Sequence, residues 1–303
     1  MNFCQYLILS VLILLTSLQS QAADKPSLYR SVLFTAGVFT RSVEGPVMDK
    51  DLNLYAVGFD RSRGVGIVDK DGNAKLYVNV PEKGTPNALQ IVNCYMYFAD
   101  FFNHRIWKMD MKTMVFTVVA ENKNMNQPND IAITSKGFIY ASDPNWKNKD
   151  GNLWKITPDG KTICLESNMG TTNGIEISPD EKILYVAETV QGNVWAYDID
   201  DNGDVSNKRL LIKFDTDGTD GMKCDIKGNL YITRNGRGTI AMVTSSGKLL
   251  REIKVSSKYP TNICFGGKDG KTAYVTSTTS DEKNGQIEVF RTEFPGRAWK
   301  TNN

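Results

Sequence analysis

The sequence predicts an all-β protein: a six-bladed β-propeller in which an N-terminal strand closes the ring by pairing with the last strand of the chain. Three observations carry this. A short phrase recurs six times at a nearly constant period, each copy is built of strand-like runs separated by turns, and one spare strand is left over at each end. The copies are TPNALQIVNCYMYFAD, QPNDIAITSKGFIYASD, TTNGIEISPDEKILYVAE, GTDGMKCDIKGNLYITR and YPTNICFGGKDGKTAYVTS, preceded by the more diverged VEGPVMDKDLNLYAVG. Their aligned polar landmarks are Glu44, Asn87, Asn129, Asn173, Asp220 and Asn262, whose positions differ successively by 43, 42, 44, 47 and 42. A step of that size is one propeller blade.

Taken in order, the chain first shows the apolar run LILSVLILLTSL and then SQAA, where Ser20 and Ala22 satisfy the small-residue rule for signal peptidase. Residues 1–22 are therefore expected to be a signal peptide, and the protein to be exported to the periplasm or secreted. A retained anchor is the alternative. Cleavage would leave 281 of the 303 residues, expected to form one domain over 23–303, since repeated blades bury one another's faces. SVLFTAG at 31–37 is the first strand candidate. The runs GFIYASD, ILYVAE, NLYITR and TAYVTS are β-branched and aromatic, follow Gly or Asp turns, and read as second strands of hairpins. HRIWKMD, NLWKITPDG, NVWAYDID and GTIAMVTSSG supply further strands, giving about four per blade. QIEVFRTE at 286–293 is the last, and pairing it with 31–37 would remove both exposed edges.

With 36 basic and 34 acidic residues the net charge is +2, and no basic run is interleaved with aromatics, so nucleic acid is not an expected partner. Once the leader is removed, no membrane association is expected either. Cys94, Cys164, Cys224 and Cys264 are too sparse for a disulfide scaffold and sit in or beside strand-like runs, which favours buried free thiols. The only histidine, His104, follows the second strand of its blade and reads as a turn or packing residue. Histidine-rich metal sites and histidine dyads are thereby excluded.

In an antiparallel hairpin the start of the first strand and the end of the second share one end of the blade. If first strands line a central channel, the six landmarks gather at one mouth of it. The second-strand ends Asp100, Asp143, Glu188, Arg234 and Ser277 would then ring it farther out as pocket walls. Two facing carboxylates, Glu44 and Asp220, repel unless protonated or bridged by a cation. With Asn amide oxygens they form an all-oxygen set suited to calcium, magnesium or manganese. Asn before Gly also serves as a turn residue, and Asn87 and Asn262 are expected to be structural, as are Asp100 and Asp143 in large part.

The phrases EGPV at 44–47, QPNDIAI at 127–133, TTNGIEISPDEK at 171–182 and TDGMKCDIKGNLY at 219–231 resemble those of the gluconolactonase and regucalcin family. DPNWKNKDGNLWKITPDG, FGGKDGKTAYVT and FRTEFPGRAW extend the resemblance from about residue 40 to the end. It implies a six-bladed propeller that binds one divalent cation and hydrolyses sugar lactones to aldonic acids. Carried over by position, it makes Glu44, Asn129, Asn173 and Asp220 the metal ligands, with calcium first among the cations and zinc, manganese or magnesium as alternatives. The sequence departs from the family where Met48 stands in place of a frequent Trp, and where Gln127 takes the place of a substrate-contacting Arg found in some members.

The expected chemistry is attack of water on a lactone carbonyl, the cation polarising that carbonyl and Asp220 acting as general base. Gln127, Asn145, Trp146 and Arg234 are the expected substrate contacts, Trp offering a face to sugar CH groups and Arg a donor to hydroxyls or carboxylate. Two alternatives stay open: a non-catalytic propeller whose metal holds the blades together, and a calcium-dependent esterase of other specificity.

Overall fold

The computed structural model describes residues 25–59 and 64–300. The expected leader, residues 1–22, lies outside the described residues. Among the described residues all regular structure is β apart from two short 3-10 turns, and no helix is long and apolar enough to cross a membrane.

Four sheets have four antiparallel strands each, in chain order. They are β5 (Pro86–Val92), β6 (Tyr95–Asp100), β7 (Arg105–Asp110) and β8 (Phe116–Glu121); then β9 (Ile131–Ile133), β10 (Ile139–Asn145), β11 (Asp150–Ile156) and β12 (Thr162–Met169). The next are β13 (Thr172–Ile177), β14 (Ile183–Glu188), β15 (Asn193–Ile199) and β16 (Val205–Lys213), followed by β17 (Met222–Cys224), β18 (Leu230–Arg234), β19 (Thr239–Val243) and β20 (Leu249–Lys254). The fifth sheet has seven strands, in the order β21 (Tyr259–Gly266), β22 (Thr272–Thr278), β23 (Asn284–Arg291), β1 (Val32–Met48), β2 (Leu54–Phe59), β3 (Gly64–Val68) and β4 (Ala74–Asn79).

That seven-stranded sheet arises because β1 does two jobs. Its first half pairs with β23, Val32 opposite Val289 and Ala36 opposite Gln286. Its second half pairs with β2, Glu44 opposite Val57 and Met48 opposite Leu54. The sequence suggested a separate strand before the first landmark; instead one 17-residue strand carries both pairings, with register shifts between Phe39 and Glu44 that turn it from one partner to the other. The first strands touch in succession, β1 with β5, then β9, β13, β17 and β21, and β21 touches β1 again.

The core lies between neighbouring sheets. Val57, Leu89, Phe98 and Trp107 pack between the sheets of β2 and β6, and Ala187, Met222, Ile232 and Ala241 between those of β14 and β18. Second strands such as Ile183–Glu188 and Leu230–Arg234 are almost wholly buried because sheets cover both faces, which is why they read as continuous apolar runs. First strands approach so closely that side chains are excluded at defined points. A Cβ at Gly174 would sit 2.3 Å from the Asp220 carbonyl oxygen, and one at Gly221 2.1 Å from the Asn262 side chain. These glycines follow landmarks for reasons of inter-sheet contact, not turn formation.

Candidate active site

Glu44 lies in β1, Asn173 is the second residue of β13, and Asp220 and Asn129 each precede a first strand by two residues. Asn173 and Asp220 are bonded to one another, whereas Glu44 and Asn129 are each tied to a neighbouring landmark. Asn262 on β21 donates Nδ2 to Glu44 Oε2 at 2.9 Å, and the Gly45 N–H reaches the same oxygen at 2.7 Å. Asn173 hydrogen-bonds Asp220 and also donates Nδ2 to Thr189 Oγ1 at 3.0 Å. Asn235 donates to Asp220 Oδ2 at 3.3 Å. Asn129 is buried, and its carbonyl accepts the Asn87 side chain at 3.2 Å, tying β5 to the start of β9. Asn87 and Asn262 thus support neighbours, in keeping with their expected structural role.

Burial dominates the electrostatics. It pushes the Glu44 carboxyl up to about 7, against the opposing pull of the Gly45 and Asn262 donors. Asp220 is raised well above the ordinary carboxylate range, by burial first and then by the charge of Glu44. A third acid, Asp130, contributes to both and is itself raised by burial. Sequence reasoning passed over Asp130 because Asp beside Asn and Pro reads as a turn. Its signal was its place one residue after a landmark. Asp130 has a counter-charge, Lys223 Nζ at 3.8 Å, and the deeper Glu176 has Arg297 Nε at 2.8 Å. Among the described residues Glu44 and Asp220 form no ion pair; the Lys223 charge acts on Glu44 only as the smallest of the influences on it, and Asp220 is supported by the Asn173 and Asn235 amides.

Two carboxylates plus amide oxygens suit a hard divalent cation, which would favour the ionised form of both acids. Among the described residues no cluster of three or more His, Cys, Asp or Glu side chains could hold a metal. A cation here would therefore depend on Asn oxygens as well.

The second-strand ends have a shared structural task. Asp100 accepts from Thr85 N at 3.0 Å, Asp143 from Gln127 N at 2.6 Å, and Glu188 from Gly170 N at 2.8 Å. In each case the acid clamps the loop entering its own sheet. Asp100 and Asp143 also take the indole N–H of Trp107 and Trp154 from the third strand. Arg234 performs the same task with the polarity inverted, its guanidinium donating to the Thr216 carbonyl, stacking 3.7 Å from the Phe214 ring and pairing with Glu252. At 2% exposure its side chain is taken up by this clamp, and its buried Nε has no partner among the described residues.

Of the other expected contacts, Gln127 carries a buried Oε1 without a partner among the described residues. Asn145 caps the β10–β11 turn, its Oδ1 accepting from Asn148 N at 3.3 Å. Trp146 stands 41% exposed at the tip of that hairpin, which Gln191 braces through the Lys149 carbonyl at 3.0 Å. His104 occupies the turn between β6 and β7. All four described cysteines are free thiols, but only Cys224 and Cys264 are buried; Cys94 and Cys164 are exposed near hairpin ends, contrary to expectation.

This chain is 28% identical over 207 residues to a gluconolactonase of Zymomonas mobilis, covering 60% of this chain and 58% of that one. It spans about three-fifths of the length of the curated relatives it matches. A solved gluconolactonase of Xanthomonas campestris superposes with a TM-score of 0.71 at 20% identity, over 86% of this chain and 89% of that one. A regucalcin of Agrobacterium tumefaciens, described as a calcium-binding protein, superposes with a TM-score of 0.71 at 19% identity, over 90% and 98%. At those identities the likeness speaks to the all-β fold. Residues 44–279 match the family described as SMP-30/Gluconolactonase/LRE-like region, from the candidate ligand Glu44 through the sheet of β21 and β22, and the chain belongs to that family.

Proposed function

We propose that this protein is a six-bladed propeller hydrolase that opens glucono-1,5-lactone-like sugar lactones to aldonic acids with one divalent cation. The observation that carries this reading is the pair of half-buried carboxylates, Glu44 and Asp220, whose charges repel one another and neither of which forms an ion pair among the described residues. The six-bladed reading rests on the cyclic succession of first strands and on the pairing of β1 with β23. The name gluconolactonase among the relatives supports the reaction, and the calcium-binding regucalcin supports calcium as the first cation to try.

Glu44, Asn129, Asn173 and Asp220 would hold the cation. When bound, it supplies Lewis acidity toward a lactone carbonyl and lowers the pKa of water. Asp220 is the residue placed to accept the proton of the attacking water, its carboxylate oriented by Asn173 and Asn235. Water oxygen would bond to the carbonyl carbon as Asp220 takes its proton, and the ring C–O bond would then break with that proton passing from Asp220 to the ring oxygen, which leaves as a hydroxyl. Asn262 and the Gly45 N–H fix Glu44 so that it need not reorient during the reaction. Trp146 is suited to cover the sugar from the hairpin tip, and Gln127, whose buried Oε1 lacks a partner among the described residues, to border it.

The apolar run at 7–18 and the small residues at 20 and 22 support export of a mature domain beginning at Ala23. Mass analysis of the exported protein tests this. The reaction is tested on glucono-, galactono- and xylonolactone, with acid release followed after chelation and after return of calcium, manganese, zinc or magnesium. Metal-restored opening of any of them, lost in Asp220→Ala, is expected. No metal-dependent rate on the whole panel would turn the reading toward another ester or a binding role.

A further inference from the structure

We propose that the cleft beside Asp220 is a second sugar subsite, so that the preferred substrate is an aldonolactone carrying a further sugar residue. This inference rests on the lactonase reading above. The cleft, of about 590 Å³, lies between the segment after β14 and the segment joining β16 to β17, with Asn235 beyond β18 as its floor. Two of its lining residues touch the candidate ligands directly. Asn235 donates to Asp220 Oδ2 at 3.3 Å, and Thr189 accepts from Asn173 at 3.0 Å. A group bound there is therefore continuous with one bound at the carboxylates.

The lining has the chemistry of sugar recognition. Phe214, half-buried with Arg234 over its ring, offers an aromatic edge and Val190, 53% exposed, an apolar surface, while the exposed Asp215 is an acceptor for hydroxyls beside Asp217, which Arg237 and Thr216 hold. Pockets of roughly 300–1,000 Å³ hold ligands larger than a single sugar ring, and this one falls within that range. Its walls are preformed. Phe214 N donates to the Gly192 carbonyl at 2.8 Å, Gly218 N to the Asn235 carbonyl at 2.8 Å, and Arg234 to the Thr216 carbonyl. Asp217 is held at φ 61, a left-handed conformation that persists only when its surroundings enforce it. Arg234, stacked on Phe214, is in this light the positioning residue of the subsite.

The test compares kcat/KM for cellobiono-1,5-lactone and glucono-1,5-lactone with the full chain loaded with a divalent cation. The expected result is a preference for the disaccharide lactone of at least about tenfold, reduced about tenfold in Phe214→Ala and in Val190→Trp. Val190 is on the surface, so its variant keeps the test decisive should Phe214→Ala fail to fold. In the metal-free protein, saturation transfer from aromatic protons to the second ring of cellobionate, lost in Phe214→Ala, gives the same reading without turnover. Opening of gluconolactone with no preference for the larger substrate would overturn the subsite alone, as would a preference that both variants leave unchanged. A protein that opens neither lactone with any cation would overturn the lactonase reading and the subsite with it.

Discussion

Asn262 holds Glu44 from both ends of its own amide: Nδ2 lies 2.9 Å from Glu44 Oε2, and Oδ1 accepts the Ile263 N–H at 2.8 Å. Its rotation is thereby locked, and the carboxylate is aimed before any ligand arrives. Outer supports of this kind typically contribute ten- to a hundredfold in metal affinity. Asn262→Ala is expected to weaken binding of a divalent cation by about that factor, read by calorimetry on chelated protein. Unchanged affinity would assign Asn262 to packing alone.

The raised Glu44 carboxyl ties stability to pH in the metal-free protein. Its folded value of about 7 exceeds its ordinary 4.5, so the folded state binds more protons than the unfolded chain between those values. Its contribution is complete below about 4.5 and is lost as pH rises through about 7. Chelated protein should thus be more stable at pH 5 than at pH 8, with Glu44 contributing on the order of 2 kcal/mol after solvent screening. A bound cation should reverse the trend, and Glu44→Gln should flatten it. Thermal melts across that range, with and without metal, provide the check.

Gly174 and Gly221 mark where first strands leave no room. Alanine at either would place a methyl group 2.3 Å from the Asp220 carbonyl or 2.1 Å from the Asn262 side chain. Each substitution should cost about 1–3 kcal/mol and also lower cation affinity, because the displaced groups belong to the site or brace it. A denaturant melt paired with a metal titration separates the two effects.

Arg234 and Trp146 should part company in the same assays. Arg234→Met releases the Thr216 loop and removes the stack on Phe214, while Glu252 keeps Arg237 as its partner, so a loss of about 1–3 kcal/mol in stability is expected. Trp146 is exposed at a hairpin tip, so Trp146→Ala should leave the melting temperature within about 1 °C while raising KM for a sugar lactone.

Hairpins were legible because their second strands are buried on both faces and therefore appear as uninterrupted β-branched runs, as in Ile183–Glu188. The pairing of residues near 32–36 with 286–289 was legible from the spare strand at each end. The junction inside β1 was not, since a register shift leaves no composition signal. Within the site, the landmark phase brought Glu44, Asn173 and Asp220 into one neighbourhood, but it could not reveal that Lys223 pairs with Asp130 and with neither Glu44 nor Asp220. That depends on which side chains meet across sheets. Arg234 shows the same limit: a strand-end Arg does not disclose the Thr216 loop that it holds.

The most direct measurement follows glucono-1,5-lactone opening by chelated protein while a divalent cation is titrated back, with Glu44→Gln and Asp220→Asn in parallel. The predicted result is a rate that saturates at one ion per chain in the native protein and stays at the spontaneous level in both folded variants. A rate independent of the ion, or one that survives in either variant, would contradict a metal centre built on Glu44 and Asp220.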